Sequence, residues 1–178
     1  MDHSFYFERL YPFQDRVLAA IRGAETGFYL TGGTAASRGY LQHRFSDDLD
    51  LFVNDAPQFA LWSTRIIQCL HSQGDGQISV LVREERFVRF TVGTSDVDLK
   101  IELVNDVPAH AGIVTDHPVL GRLDSAENIL ANKISALVDR EEPKDLADVW
   151  AFCCRMNLSI ASALEDAQSK AAGLFPAD

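Results

Sequence analysis

Cysteine is scarce in this chain: Cys69, Cys153 and Cys154 are the only three in 178 residues. An odd number with two adjacent argues against a disulfide framework. No CxxC and no Cys/His spacing of a zinc site is present, and Cys69 and Cys153 fall in apolar helical patterns where a thiol serves as a small hydrophobe. No apolar run approaches the roughly 20 residues of a membrane span. The start, Met1-Asp2-His3-Ser4, lacks the basic and apolar regions of a signal peptide, so a cytoplasmic protein without a membrane partner is expected. Basic residues are also short: 16 Lys and Arg stand against 26 Asp and Glu, a net charge of −10. That disfavours broad nonspecific binding to nucleic acid, which needs clustered Lys and Arg. It leaves room for a small local basic site, or for a basic protein partner. Repeats, low-complexity linkers and any Ser/His/Asp arrangement are missing. His3, His71, His110 and His117 lie in polar loop or terminal settings and read as surface residues.

What is present suits one compact domain, residues 1–178, with a sheet-containing part over about 1–110 and a helical part over about 120–178. Phe13, Val17, Leu18 and Ile21 predict a helix from Pro12 to about Arg22. Phe28-Tyr29-Leu30 is a short strand ending at Gly32-Gly33, and Thr34 to Leu41 can form a short helix. Asp48 to Val53 reads as a strand. Asp55-Ala56-Pro57-Gln58 resembles a capping box, opening a helix to about His71 with Leu61, Ile66, Cys69 and Leu70 as core candidates. Ile78–Arg83, Arg86–Val92 and Val97–Val104 predict an antiparallel meander. After a proline-containing loop, Asp124-Ser125-Ala126-Glu127 is a second capping-box candidate, opening a helix to about Arg140. Pro143 starts another through Leu146, Val149, Trp150 and Cys153, and the tail from Leu158 is helical, fraying at Phe175-Pro176. The order predicts an α+β fold, a mixed sheet packed with helices and a helical C-terminal part.

Chemistry concentrates in a few places. Asp48 and Asp50 share one face of their strand, because side chains alternate with period two, while Leu49, Leu51 and Val53 form the apolar face. A bare DxD also suits an edge strand with one wet face. Here a glycine turn precedes it and Asp47 and Arg44 adjoin it, and clustered carboxylates repel unless a cation neutralises them. Magnesium or manganese with oxygen ligands and bound phosphates fits that need. Gly32, Gly33 and Thr34 stand between a strand and a helix, where bare backbone N–H groups attract anions and Thr34 could add a hydroxyl. Asp98, Lys100 and Glu102 share a strand face; either a solvated face or a third carboxylate follows, with Glu102 preferred as metal ligand or general base and Asp98 in reserve. Lys133 falls within the apolar stripe of its helix, either snorkelling or presenting its charge to NTP phosphates, and Arg140 lies two turns on. Lys144 and Asp145 begin the next helix. There Asp145 can simply favour the helix N-terminus while Lys144 pairs with Asp148.

Gly32-Gly33-Thr34-Ala35, then His43 through Phe52, then Lys100-Ile101-Glu102, Asn132-Lys133-Ile134-Ser135-Ala136-Leu137, Arg140 and Lys144-Asp145, together resemble the nucleotidyltransferase AbiEii/AbiGii toxin family, of the polymerase-beta-type nucleotidyltransferase superfamily. The resemblance spans roughly Phe28 to Phe152. It implies metal-dependent transfer of NMP from an NTP to an acceptor hydroxyl in a bacterial toxin–antitoxin or phage-defence pair. Asp48, Asp50 and Glu102 would hold the metal; Gly32, Gly33 and Thr34 would cradle the triphosphate, with Arg44, Lys133, Arg140 and Lys144 around it. Lys133 and Asp145 match later motifs of the family, which implies catalytic roles for them beside Asp48, Asp50 and Glu102. A tRNA or protein acceptor and a cognate antitoxin are the implied partners. A noncatalytic nucleotide- or protein-binding member of the same fold is the alternative, and a DxD glycosyltransferase a more distant one.

Overall fold

The computed structural model describes residues 3–74, 76–140 and 142–170. A helical turn, His3–Phe5, passes through a π-helical turn, Tyr6–Leu10, into helix α1 (Tyr11–Gly23). After β1 (Tyr29–Thr31) come a helical turn, Gly32–Thr34, and a π-helical stretch, Ala35–Leu41. Strand β2 (Leu49–Asn54) leads to α2 (Phe59–Gln73), then to β3 (Gln77–Arg83), β4 (Phe87–Gly93) and β5 (Asp98–Asp106). Two short strands, β6 (Thr115–His117) and β7 (Gly121–Leu123), precede α3 (Ala126–Asp139), α4 (Pro143–Arg155) and α5 (Ile160–Lys170).

The seven strands of the described residues join one mixed sheet in the order β3-β4-β5-β2-β1-β7-β6. The expected meander is there, and β2 lies at the centre, antiparallel to β1 and parallel to β5. Leu49, Leu51 and Val53 of β2, Leu99, Ile101 and Leu103 of β5, and Val88 and Phe90 of β4 are buried in one core with Phe13 and Val17 of α1 and Ile66 and Leu70 of α2. Burying each large apolar side chain contributes about 1.5–3 kcal/mol. That apolar face fixes the register, and the other face is thereby obliged to carry the polar alternates.

The sheet runs past residue 110. Strands β6 and β7 lie in the stretch read as a loop, because three-residue segments such as Thr-Asp-His carry no apolar run. β7 joins parallel to β1 through Leu30 and Leu123. The first expected capping box is not formed: Asp55 has φ +44°, Gln58 is the N-cap without a side-chain bond, and Asp55 pairs with Arg86 at 3.0 Å. The second cap is Ser125, whose Oγ accepts the Asn128 N–H at 3.0 Å. Asp124 is instead drawn into the interior, bonded by Thr31, Asn128 and His110, so His110 is not a free surface residue.

Leu61 is exposed rather than core, and Leu146 and Trp150 are exposed as well. In α2 the buried stripe is Phe59, Ser63, Ile66 and Leu70, which Leu61 misses, and in α4 two acids, Asp145 and Asp148, occupy the buried stripe beside Val149 and Phe152. Cys69 and Cys153 are half-buried at the core's edge. Phe175 and Pro176 lie outside the described residues. Among the described residues no helix is long and apolar enough to cross a membrane.

Candidate active site

Cross-strand register assembles a polar row on the face opposite the core. Thr31 of β1 pairs with Asp50 of β2, Asp50 with Glu102 of β5, and Glu102 with Arg89 of β4. Directly paired residues present their side chains on the same face, so four strands contribute one line of chemistry. Arg89 Nε donates to Glu102 Oε1 at 2.8 Å. One step along the strands, Lys100 Nζ lies 2.8 Å from Asp48 Oδ2 and 3.5 Å from Glu102 Oε1. Asp98 is exposed at the start of β5 opposite Gly93, outside the cleft, so the register singles out Glu102 as the carboxylate beside Asp50.

The glycine turn is fitted to this row. Gly32 has φ +65°, which disfavours any L side chain, and a Cβ there would lie 2.1 Å from Asp50 Oδ2. At Gly33 a Cβ would lie 2.8 Å from Arg44 Nη2 and 2.9 Å from Ser46 Oγ. Thr34 departs from its expected role: fully buried, it gives its hydroxyl to the Asp48 carbonyl at 2.5 Å and neighbours Ser46 Oγ at 3.0 Å. It ties the turn to the acidic strand and offers no donor to a ligand.

Lys133 is buried and doubly paired, 2.6 Å from Asp145 Oδ1 and 2.9 Å from Asp148 Oδ2. Arg140 Nε closes the other oxygen of Asp145 at 2.9 Å. Arg44 grips Asp148 with both ends of its guanidinium, each at 2.7 Å, and His43 Nε2 is 2.8 Å away. Burial pushes the Asp145 and Asp148 carboxyls up, but the bonds from Lys133 and Arg140, and from Arg44 and Lys133, outweigh it and hold both below the usual carboxylate range. Burial lowers the His43 imidazole despite its bond to Asp148. Three cations thus meet two carboxylates. Asp145 does not line the cleft; it positions Lys133 and Arg140, which do. Arg44, expected to bind phosphate, spends its fork on Asp148 while still edging the cleft. Lys144 lines the cleft, with Glu142 its paired acid at 4.0 Å rather than Asp148.

Two openings, of about 660 and 400 Å³, meet at Asp50, Glu102, Lys133 and Arg140. Arg44, Arg89, Lys100, Lys133, Arg140 and Lys144 line the larger one, six of the chain's 16 basic residues, against four acids. Counting Asp145 and Asp148 behind the lining, the six cations face six carboxylates, so the opening gathers charge of both signs in a chain of net charge −10. The smaller opening adds Phe52, Ile129 and Ala136 and is more apolar.

Asp50 carries the strongest electrostatic signature here. Burial, then the charges of Glu102 and Asp48, push its carboxyl up to about 6, which marks negative charge that the lysines nearby do not fully offset. Asp48, Asp50 and Glu102 form an all-oxygen donor set of the kind magnesium or manganese takes. Among the described residues, however, no three acidic, His or Cys side chains are already gathered to hold a metal ion. Lys100 sits between Asp48 and Glu102, so a cation would displace an internal one.

Sequence reasoning missed Arg89, Lys100 as a counter-ion, and Asp148. Arg89 and Lys100 are placed by strand register, which no local pattern reveals. Asp148 had a signal: it follows Asp145 by three residues on the face of α4 that also buries Val149 and Phe152, and acids on an apolar stripe need buried cations.

A family model described as nucleotidyl transferase AbiEii toxin, Type IV TA system, matches residues 16–173. No curated protein sequence is significantly similar. Among solved structures, a crystal structure from H. pylori provisionally described as a nucleotidyltransferase is similar with a TM-score of 0.65 at 24% identity, over 91% of this chain and 77% of that one. The crystal structure of JHP933 from Helicobacter pylori is similar with a TM-score of 0.64 at 22% identity, over 96% of this chain and 79% of that one. At these identities the two structures speak for the fold.

Proposed function

The chain belongs to the nucleotidyltransferase AbiEii toxin family, and from that premise we propose that it transfers an NMP group from an NTP to an acceptor hydroxyl, as the toxin of a type IV toxin–antitoxin pair. The observation that carries this reading is the row in which Asp50 pairs with Glu102, placed where the larger opening meets the smaller, more apolar one.

In this reading the triphosphate lies in the larger opening, along its cations. Backbone N–H groups at the Gly32-Gly33 turn reach it without side chains in the way. Lys133, fixed by Asp145 and Asp148, presents a charge that needs no reorganisation as the phosphates change charge. Arg140, Lys144 and Arg89 add to the same field. The acceptor enters from the more apolar side. Its oxygen forms a bond to the α-phosphorus as the bond to the β-phosphate breaks, and pyrophosphate leaves. The hydroxyl proton passes to Glu102, which borders both openings. Magnesium or manganese held by Asp48, Asp50 and Glu102 would supply Lewis-acid polarisation of the phosphate and the attacking oxygen. Positioning and charge neutralisation account for most of the rate in such transfers.

The acceptor class includes tRNA or a protein, and a cognate antitoxin is the implied partner. A second reading, nucleotide binding without transfer, has the Lys100 pairs with Asp48 and Glu102 on its side. Incubation with each α-labelled NTP, magnesium and total RNA or lysate separates the two: covalent label on a macromolecule supports transfer. Saturable NTP binding with no covalent label under any condition supports the second.

A further inference from the structure

Arg89 enters the polar row from β4. It stands opposite Glu102 of β5 on one side and Val82 of β3 on the other. A register shift between Val80 and Val82 sets the second pairing, and Val82 brings no charge to compete for the guanidinium. Arg89 Nε donates to Glu102 Oε1 at 2.8 Å. The guanidinium carbon lies 5.1 Å from the ring centre of Phe87, two residues back on the same strand, which braces it.

Glu102 is held by one oxygen. Lys100 Nζ approaches Oε1 at 3.5 Å, the oxygen that Arg89 already holds, and is itself committed to Asp48 Oδ2 at 2.8 Å. Among the described residues no hydrogen bond or ion pair reaches Glu102 Oε2. Asp50, by contrast, is packed against the Gly32 turn. Glu also has one more side-chain torsion than Asp, and its last torsion is broad and two-fold. Strand register fixes where the Glu102 side chain leaves β5 but not how its carboxylate is turned. A charge-assisted bond from a braced guanidinium removes that freedom.

Glu102 borders both openings, whereas Arg89 borders the larger of the two alone. We infer that Arg89 is a positioning residue, which grips Glu102 by Oε1 and keeps Oε2 turned to the acceptor hydroxyl. The inference rests on the nucleotidyl-transfer reading and assigns the atom that works in it. As the acceptor oxygen bonds to the α-phosphorus, its proton passes to Oε2, and pyrophosphate leaves with the electron pair of the breaking P–O bond. Arg89 takes no part in these exchanges and acts through Glu102. The competing role is attraction alone, with Arg89 serving only as one more cation along the triphosphate.

The two roles part in the kinetics. Arg89→Gln, Arg89→Lys and Arg89→Ala, each with its fold checked by circular dichroism, are compared with the parent in transfer from α-labelled NTP to total RNA or lysate. NTP affinity is measured separately by calorimetry. Positioning predicts that Arg89→Gln lowers kcat on the order of 10- to 100-fold, the cost of misplacing a reacting group by about 1 Å. KM and Kd for NTP should change far less. Arg89→Lys, which keeps a charged donor without the planar fork, should recover part of kcat, and free guanidinium should restore part of it to Arg89→Ala. A rise in KM and Kd with kcat unchanged means attraction alone and overturns the positioning role. So does a fall in kcat that neither Arg89→Lys nor guanidinium repairs, since disturbed sheet packing would give the same. Both of those results leave transfer by the parent standing. A parent that binds NTP and labels no acceptor removes the transferase reading itself, and the role of Arg89 with it.

Discussion

Gly32 and Asp50 are matched surfaces: the space a Cβ would take on Gly32 is filled by the Asp50 carboxylate, 2.1 Å away. The turn that would cradle phosphate and the strand that carries the acids are therefore one packed unit. Neither half can change without the other.

Gly32→Ala should accordingly do more damage than an ordinary turn substitution. The residue must hold φ +65° and displace Asp50, which predicts a loss of about 1–3 kcal/mol in urea denaturation and loss of transfer beyond what stability explains. Gly23→Ala is the matched comparison, since a Cβ there meets nothing within 4 Å. It should be neutral or stabilising by about 0.4–1 kcal/mol.

Asp50 makes stability depend on pH in an unusual direction. Its carboxyl is raised to about 6 from an ordinary 3.8, so the stability it contributes is present below pH 3.8 and lost as pH rises through about 6. Asp50→Asn removes that loss. The variant should match the parent in strong acid and become the more stable protein as pH passes 6. Magnesium should stabilise the parent at alkaline pH and not the variant. Melting curves across pH, with and without magnesium, read both effects. A parent that gains on the variant as pH rises would show that Asp50 is not held up.

The Lys133 network has the opposite sign. Asp145 and Asp148 are held below the usual carboxylate range, so their contribution is present above about pH 4 and lost as pH falls through their lower folded values. Lys133→Met leaves two buried carboxylates short of a cation and should cost about 3–5 kcal/mol at neutral pH. The gap between parent and variant should close as pH falls below 4. Denaturant midpoints at several pH values measure it.

Lys100 predicts a competition. Because its Nζ stands between Asp48 and Glu102, Lys100→Gln should tighten magnesium binding severalfold in calorimetry, at unchanged stoichiometry. Weaker binding would mean that the lysine does not oppose the cation.

The fold class and the acidic strand were legible because period-two alternation leaves no freedom: if Leu49, Leu51 and Val53 are buried, Asp48 and Asp50 share the other face. Gly32-Gly33 was legible as a turn, though its fit against Asp50 and Arg44 was not. Glu102 became distinguishable from Asp98 only once β2 and β5 were in register. Thr34 misled because a hydroxyl follows whichever acceptor is nearest, and here that is the Asp48 carbonyl. The burial of Asp145 and Asp148 was not legible because it depends on cations outside their helix, Arg44, Lys133 and Arg140. The gathering of cations in the cleft was hidden by counting charge over the whole chain, since the six come from five separate segments.

The central claim is that the row containing Asp50 and Glu102 transfers the α-phosphate of an NTP with its nucleoside. The most direct measurement gives the protein NTP labelled at the α- or the γ-phosphate and compares the parent with Asp50→Asn. The account predicts that α-label becomes covalently attached to an acceptor, that γ-label appears only in pyrophosphate, and that both are lost in Asp50→Asn and on chelation of divalent metal. Attachment of γ-label, or undiminished α-transfer by Asp50→Asn, would contradict it.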